Sequence, residues 1–132
     1  ELAYDEAYYW VFSRHLDWGY FDHPPMAAFW IALTAWMPGE FGVRLFFLLA
    51  TQGAAWLMSS MVPRERAWMV WASFSIFPLL SFSGFLALPD GPLVVLSAAW
   101  LWALKRSLEN DSWPNAVLVG VVSALLLYSK YH

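Results

Sequence analysis

Apolar residues in this chain come in long runs divided by short polar punctuation. Leu45 to Val62 is interrupted only by Gln52 and small polar residues, and it stops at Pro63-Arg64-Glu65-Arg66. Ala67 to Leu88 carries no charge and contains Pro78, which predicts a helix with a kink. Pro89-Asp90-Gly91-Pro92 has turn composition. The next run, Pro92 to Leu104, is short, but Lys105 and Arg106 lengthen it by snorkelling. A polar loop over Glu109 to Asn115 precedes a last run, Ala116 to Tyr128. A membrane-crossing helix needs roughly 20 mostly apolar residues, so the pattern predicts about four spans, the fourth of them cut short.

Two earlier segments have a different character. Pro24 to Met37 is apolar but too short to cross, and it reads as an interfacial or re-entrant helix begun by Pro24-Pro25 and stopped by Pro38-Gly39. Between Tyr4 and Tyr20, the residues Tyr4, Tyr8, Val11, Phe12 and His15 fall near one helical stripe, among the charges of Asp5, Glu6, Arg14 and Asp17. Six residues of this segment are Trp or Tyr. That fits a helix at the headgroup level, and it fits equally an ordinary amphipathic surface helix. The predicted fold class is all-α: a polytopic transmembrane helix bundle with interfacial helices in an external loop. Residues 1–40 form that loop, and residues 41–132 form the membrane helices of a larger membrane domain.

Composition supports the same picture. Of 132 residues, 61% are hydrophobic and 13% charged, with 10 Trp and 10 Phe. Ordinary soluble domains carry roughly 25% charged residues, and too few are present here to cover a water-facing surface. A net charge of -3 with no basic run argues against a nucleic-acid partner. With no Cys, thiolate and disulfide chemistry are excluded. The chain opens at Glu1-Leu2-Ala3 with neither Met nor leader and stops at Lys130-Tyr131-His132, directly after an apolar run, as expected of a piece of a longer protein.

Counting crossings sorts the charges. Asp5 and Glu6 precede the first span, Asp90 follows two spans, and Lys130 follows two more, so all four share one face. Seven of the ten acidic residues (Glu1, Asp5, Glu6, Asp17, Asp22, Glu40, Asp90) lie on it. Arg64, Arg66, Lys105 and Arg106 lie on the other, which the positive-inside rule makes cytoplasmic, although Arg14, Arg44 and Lys130 oppose the bias. The acidic face is then external.

No HExxH, Walker loop, GxGxxG or GxSxG pattern is present. The candidate chemistry rests instead on Asp5, Glu6, Asp22, His23, Arg44, Asp90 and Lys130, all on the acidic face. Asp5-Glu6 suits the positive N-terminus of a helix, and it also suits a general base with an acid beside it that orients it or binds a cation. Asp22-His23-Pro24-Pro25 reads as a helix cap or as a substrate contact. Asp90 reads as an N-cap or as a second acid in a shared site. Arg44 and Lys130 are snorkelling anchors or, as a pair, a phosphate clamp. Gln52 in mid-span is interhelical glue.

Asp5-Glu6-Ala7-Tyr8-Tyr9-Trp10, followed by Leu16-Asp17-Trp18-Gly19-Tyr20-Phe21-Asp22-His23-Pro24-Pro25-Met26, resembles the first external loop of bacterial family 39 glycosyltransferases, the dolichyl-phosphate-mannose protein mannosyltransferase type. The bacterial aminoarabinose transferase acting on lipid A is a relative of that group. Gly42-Val43-Arg44-Leu45 resembles the start of the next family helix, Leu88-Pro89-Asp90-Gly91-Pro92-Leu93 a second acidic motif, and Ser129-Lys130-Tyr131 a later Lys motif. The resemblance implies a GT-C fold and an outward-facing site, with transfer from a polyprenyl-phosphate sugar to a protein, lipid or glycan acceptor. By resemblance Asp5 is the catalytic base with Glu6 its neighbour, and Asp90 is a second acid of the site. Asp22 and His23 belong to the substrate-binding loop, and Arg44 and Lys130 are candidates for the lipid phosphate. No cofactor is implied beyond a possible divalent cation. The expected location is the bacterial inner membrane, with the fragment inactive alone. The rivals are a transporter, which tends to place its charges mid-span, and a non-catalytic membrane subunit, in which the external acids are incidental.

Overall fold

A computed structural model describes residues 2–130, and the side chains of all of these except Leu79, Phe82 and Ser83. Glu1, which the charge count includes, Tyr131, which the later Lys motif includes, and His132 lie outside the described residues. Among the described residues seven α-helices follow one another: α1 Tyr4–Ser13, α2 Met26–Leu33, α3 Gly39–Ser60, α4 Ala67–Ile76, α5 Pro78–Phe85, α6 Asp90–Glu109 and α7 Trp113–Leu127, with a 3-10 turn Arg64–Arg66 between α3 and α4. Among the described residues there is no strand, so the all-α expectation holds.

Local chemistry explains where the helices start and stop. α1 ends at Ser13, short of the predicted Tyr20, because the chain folds back on itself there. The Tyr20 ring stacks on Phe12 at 3.8 Å, and its hydroxyl donates to the carbonyls of Phe12 (3.0 Å) and His15 (3.1 Å). α2 is shorter than the predicted 24–37 segment. It begins after the two prolines, and Thr34 closes it by donating to the Ile31 carbonyl at 3.3 Å. Gly39, at φ +73°, takes the left-handed conformation that lets the chain turn directly into α3. Pro78 does more than kink its run: Phe77 leaves the helical region at ψ 114°, and α4 and α5 are separate helices.

α3 and α6 run the same way, and α7 runs back beside α6. At one end Glu6 joins Arg44 on the first turns of α3 to Ala87, just ahead of α6. At the other end Lys105 of α6 donates to the Met61 carbonyl, which follows α3, at 3.3 Å. α7 starts there too, its Asn115 accepting from Arg106 Nε at 3.3 Å, and it closes at the first end with Lys130 on Asp90. Midway, Trp100 Nε1 donates to Ser123 Oγ at 2.9 Å across α6 and α7. The buried core gathers Tyr9, Ala27, Trp30, Ile31, Val43, Phe47 and Ala87, so α1 and α2 pack onto the α3 end of the bundle.

Of the predicted spans, the structure supports one by length and composition. Among the described residues α3 is the one helix both long and apolar enough to cross a membrane. Its 22 residues make about 33 Å. α4 and α5 fall short singly because of the Phe77 break, α6 is charged at both ends, and α7 is apolar but only 15 residues long.

Candidate functional site

The acidic face converges. Asp5, Tyr9, Asp22, His23, Pro24, Leu88, Pro89, Asp90 and Lys130 line one open cleft of about 270 Å³ at the end of the bundle where α3 and α6 begin and α7 finishes. Five of the seven candidate residues are in that list. They come from the start of α1, the α1–α2 loop, the start of α6 and the chain after α7.

Asp90 is not a helix cap. It is the first residue of α6, whose N-terminus has no side-chain capping bond, and its carboxylate instead accepts from Lys130 Nζ at 2.8 Å. Both side chains are more than a third exposed, so this pair contributes little to stability, roughly 0–1 kcal/mol. It does fix an ammonium at the cleft. Asp22 is not a cap either, since α2 begins four residues later. Its two carboxylate oxygens accept from the Tyr8 hydroxyl, each at 2.9 Å, and His23 Nε2 stands 3.6 Å away. The bond from Tyr8 to Asp22 pushes the Tyr8 phenol above its ordinary range. Tyr9 makes an edge contact with the His23 ring at 5.2 Å. Burial, reinforced by the Asp5 and Asp22 carboxylates, raises the Tyr9 phenol far above its usual range, so it stays a neutral hydrogen-bond donor. Asp5 is exposed and makes no hydrogen bond or ion pair among the described residues. Its acceptor capacity is therefore open to whatever enters the cleft.

Glu6 and Arg44 do something else. Glu6 has no exposed surface. Arg44 grips its carboxylate in a fork, Nε to Oε1 at 2.7 Å and Nη2 to Oε2 at 2.5 Å. Ala87 N–H donates to Oε1 at 3.0 Å and Ala3 N–H to Oε2 at 2.9 Å. Burial by itself raises the Glu6 carboxyl, but Arg44 and the two backbone donors outweigh it and hold the group below its ordinary value. Arg44 also reaches Glu40 at 3.2 Å and lies 5.3 Å from the Phe85 ring. The expected clamp of Arg44 with Lys130 is thus not formed: Lys130 lines the cleft, and Arg44 is turned into Glu6. Glu6, the expected acidic partner of Asp5, is turned into the packed interior, where it ties three segments together.

Tyr9 was missed by sequence reasoning, which took it for an interfacial aromatic. Its position four residues after Asp5, on the same helical face, was the available signal. For the possible divalent cation, no three His, Asp or Glu side chains among the described residues are grouped to hold a metal. Beside the cleft runs an apolar groove of about 460 Å³, lined by Trp18, Met26 and Phe29 on one wall and Val121, Leu125 and Tyr128 on the other. Pro24 and Pro25 join the two hollows, one residue in each.

Comparison with known proteins places the sequence in a family. Lipid A galacturonosyltransferase RgtD of Rhizobium johnstonii is 27% identical over 135 residues, covering 96% of this chain and 28% of the relative. The chain therefore spans little more than a quarter of that protein's length. No solved structure matches. The dolichyl-phosphate-mannose-protein mannosyltransferase profile matches residues 22–132, taking in Asp22, His23, Arg44, Asp90 and Lys130. The chain belongs to the dolichyl-phosphate-mannose-protein mannosyltransferase family.

Proposed function

We propose that this chain carries the reaction face of a multi-pass membrane glycosyltransferase, which moves a sugar from a polyprenyl-phosphate donor to an acceptor hydroxyl outside the bacterial inner membrane. The carrying observation is the cleft, where the Asp5 carboxylate, without a hydrogen bond or ion pair among the described residues, shares a wall with an ammonium held in place (Lys130) at one end of an apolar bundle. Family membership and the galacturonosyltransferase likeness support sugar transfer as the chemistry. Leu49, Trp56, Trp68, Ile76, Val117 and Val121 all face outward, a surface suited to lipid or to other membrane helices. In this reading α3, the broken pair α4–α5, α6 and α7 each cross, and the basic end with Arg64 and Lys105 is cytoplasmic.

The reaction is a direct displacement. The acceptor oxygen attacks the anomeric carbon, its proton passes to the Asp5 carboxylate, and the bond from that carbon to the phosphate oxygen breaks. The electron pair leaves with the polyprenyl phosphate, whose growing charge Lys130 stabilises, and the anomeric centre inverts. The lipid tail lies in the groove between α2 and α7. Asp90 holds Lys130 until phosphate arrives, and Tyr9, Asp22 and His23 contact the sugar. Arg44 acts through Glu6, as a positioning group for Asp5.

In nanodiscs, full-length enzyme with a polyprenyl-phosphate sugar should show weaker donor binding when Lys130→Ala is introduced, because a phosphate contact is made in ground and transition states alike. The product should carry the inverted anomeric configuration. Unchanged donor affinity would leave Lys130 a membrane anchor, and a retained configuration would rule out direct displacement.

A further inference from the structure

Asp22 and His23 reach the cleft on a different kind of support from its other acids. Asp5 stands in the first turn of α1 and Asp90 is the first residue of α6, so helix backbone fixes both. Asp22 and His23 sit instead on the α1–α2 loop, which runs from residue 14 to residue 25 without a helix of its own. Groups on loops are placed less precisely than groups on helices. A displacement of about 1 Å near a reacting centre can cost about 10²-fold in rate. A loop with that task needs a tie to a rigid element.

Aromatic side chains supply it. Tyr20 stacks on Phe12 and bonds the end of α1, and its own N–H donates to the His23 carbonyl at 3.0 Å. These contacts hold the loop backbone, but none of them reaches the Asp22 carboxylate. Tyr8 does. Its hydroxyl is shared between both Asp22 oxygens, each at 2.9 Å, while its ring packs on Phe12 at 4.4 Å and edge-on to His23 at 5.8 Å. The bond to Asp22 keeps the phenol above its ordinary range, so Tyr8 stays protonated and goes on donating. A carboxylate offers about four lone-pair sites, which leaves Asp22 able to accept from a ligand as well. Tyr8 itself does not line the cleft.

We infer that Tyr8 is a positioning residue for sugar transfer, acting through Asp22 by holding that carboxylate, with His23 beside it, at the wall of the cleft. The inference rests on the cleft being the transfer site. The competing role for Tyr8 is packing alone, with the ring against Phe12 and His23 and the hydroxyl dispensable. Tyr8→Phe separates the two, because it keeps the ring and removes only the hydroxyl.

The test uses full-length enzyme in nanodiscs with a polyprenyl-phosphate sugar. In Tyr8→Phe, kcat/KM should fall by about 10–100-fold, the range for losing one hydrogen bond to a charged group. The same substitution in an Asp22→Ala protein should cost nothing further, since the hydroxyl there has no carboxylate to hold. An equal loss in both backgrounds, or near-native kcat/KM in Tyr8→Phe alone, would overturn the inference. Amide hydrogen exchange, measured on the same proteins without any sugar, gives a readout that does not depend on the reaction. Peptides covering residues 16–23 should exchange faster in Tyr8→Phe than in the native protein, with peptides from α3 unchanged. Unchanged exchange in the loop would overturn the inference even where transfer is observed. Faster exchange in a protein that transfers no sugar would fail the sugar-transfer reading while upholding Tyr8 as the tie between loop and α1.

Discussion

Asp5 and Glu6 are neighbours in sequence with opposite circumstances. A step of one residue turns a helix by about 100°, enough to send one carboxylate into the open cleft and the other into the packed interior. Glu6 is matched there by Arg44 and two backbone N–H groups, so removing its charge leaves a guanidinium mostly buried without its main partner. Breaking a buried pair in this way typically costs about 3–5 kcal/mol. Glu6→Gln should therefore lower the thermal midpoint of the full-length protein in detergent, and an unchanged midpoint would show the pair to be dispensable. The pH dependence has a definite sign. The folded-state carboxyl lies below its ordinary value of 4.5, so its contribution is complete above that pH and is lost as pH falls through the lower folded value. Acid melting curves should fall away more steeply below about pH 4.5 for the native protein than for Glu6→Gln.

At the scale of elements, α5 meets α3 at a point too tight for any side chain. A Cβ on Gly84 would collide with the Thr51 side chain, whose hydroxyl already donates to Phe47. Gly84→Ala should destabilise the bundle by about 1–3 kcal/mol, the usual cost of overpacking, and Thr51→Ala in the same protein should recover part of the loss. Independent, additive effects in that double-mutant cycle would mean the two helices do not meet there. Helix positions were largely legible from the apolar runs, because prolines and charges punctuate them. The early end of α1 was not, since it depends on Tyr20 returning eight residues to Phe12. The depth of the break at Pro78 was equally hidden. At the candidate site, the nearness of Asp5, Asp22, Asp90 and Lys130 was legible, because counting helices along the chain brings them to one end of the bundle. The partner of Arg44 lies 38 residues away, and the backbone N–H of Ala87 lies 81 from Glu6. No local pattern carries contacts of that range, so Arg44 looked like a phosphate ligand and Glu6 like an acid of the site.

For the whole molecule, the two ends of the bundle differ in charge and in openness. The cleft end holds Asp5, Asp22, Asp90 and Lys130, while the other end holds Arg64, Arg66, Lys105 and Arg106. In intact cells making the full-length protein, an impermeant maleimide should label Asp17→Cys and not Glu65→Cys, and the reverse pattern would turn the site to the cytoplasm. The cleft itself is tested most directly by the rate of sugar transfer in Asp5→Asn, measured beside donor affinity in the same nanodisc preparation. The amide keeps the shape of the carboxylate but cannot take the acceptor's proton. Turnover should drop by about 10²–10⁴-fold with donor binding intact, the usual contribution of a general base. Near-normal turnover would contradict the account, leaving Asp5 as an acid at a helix N-terminus and the cleft without its base.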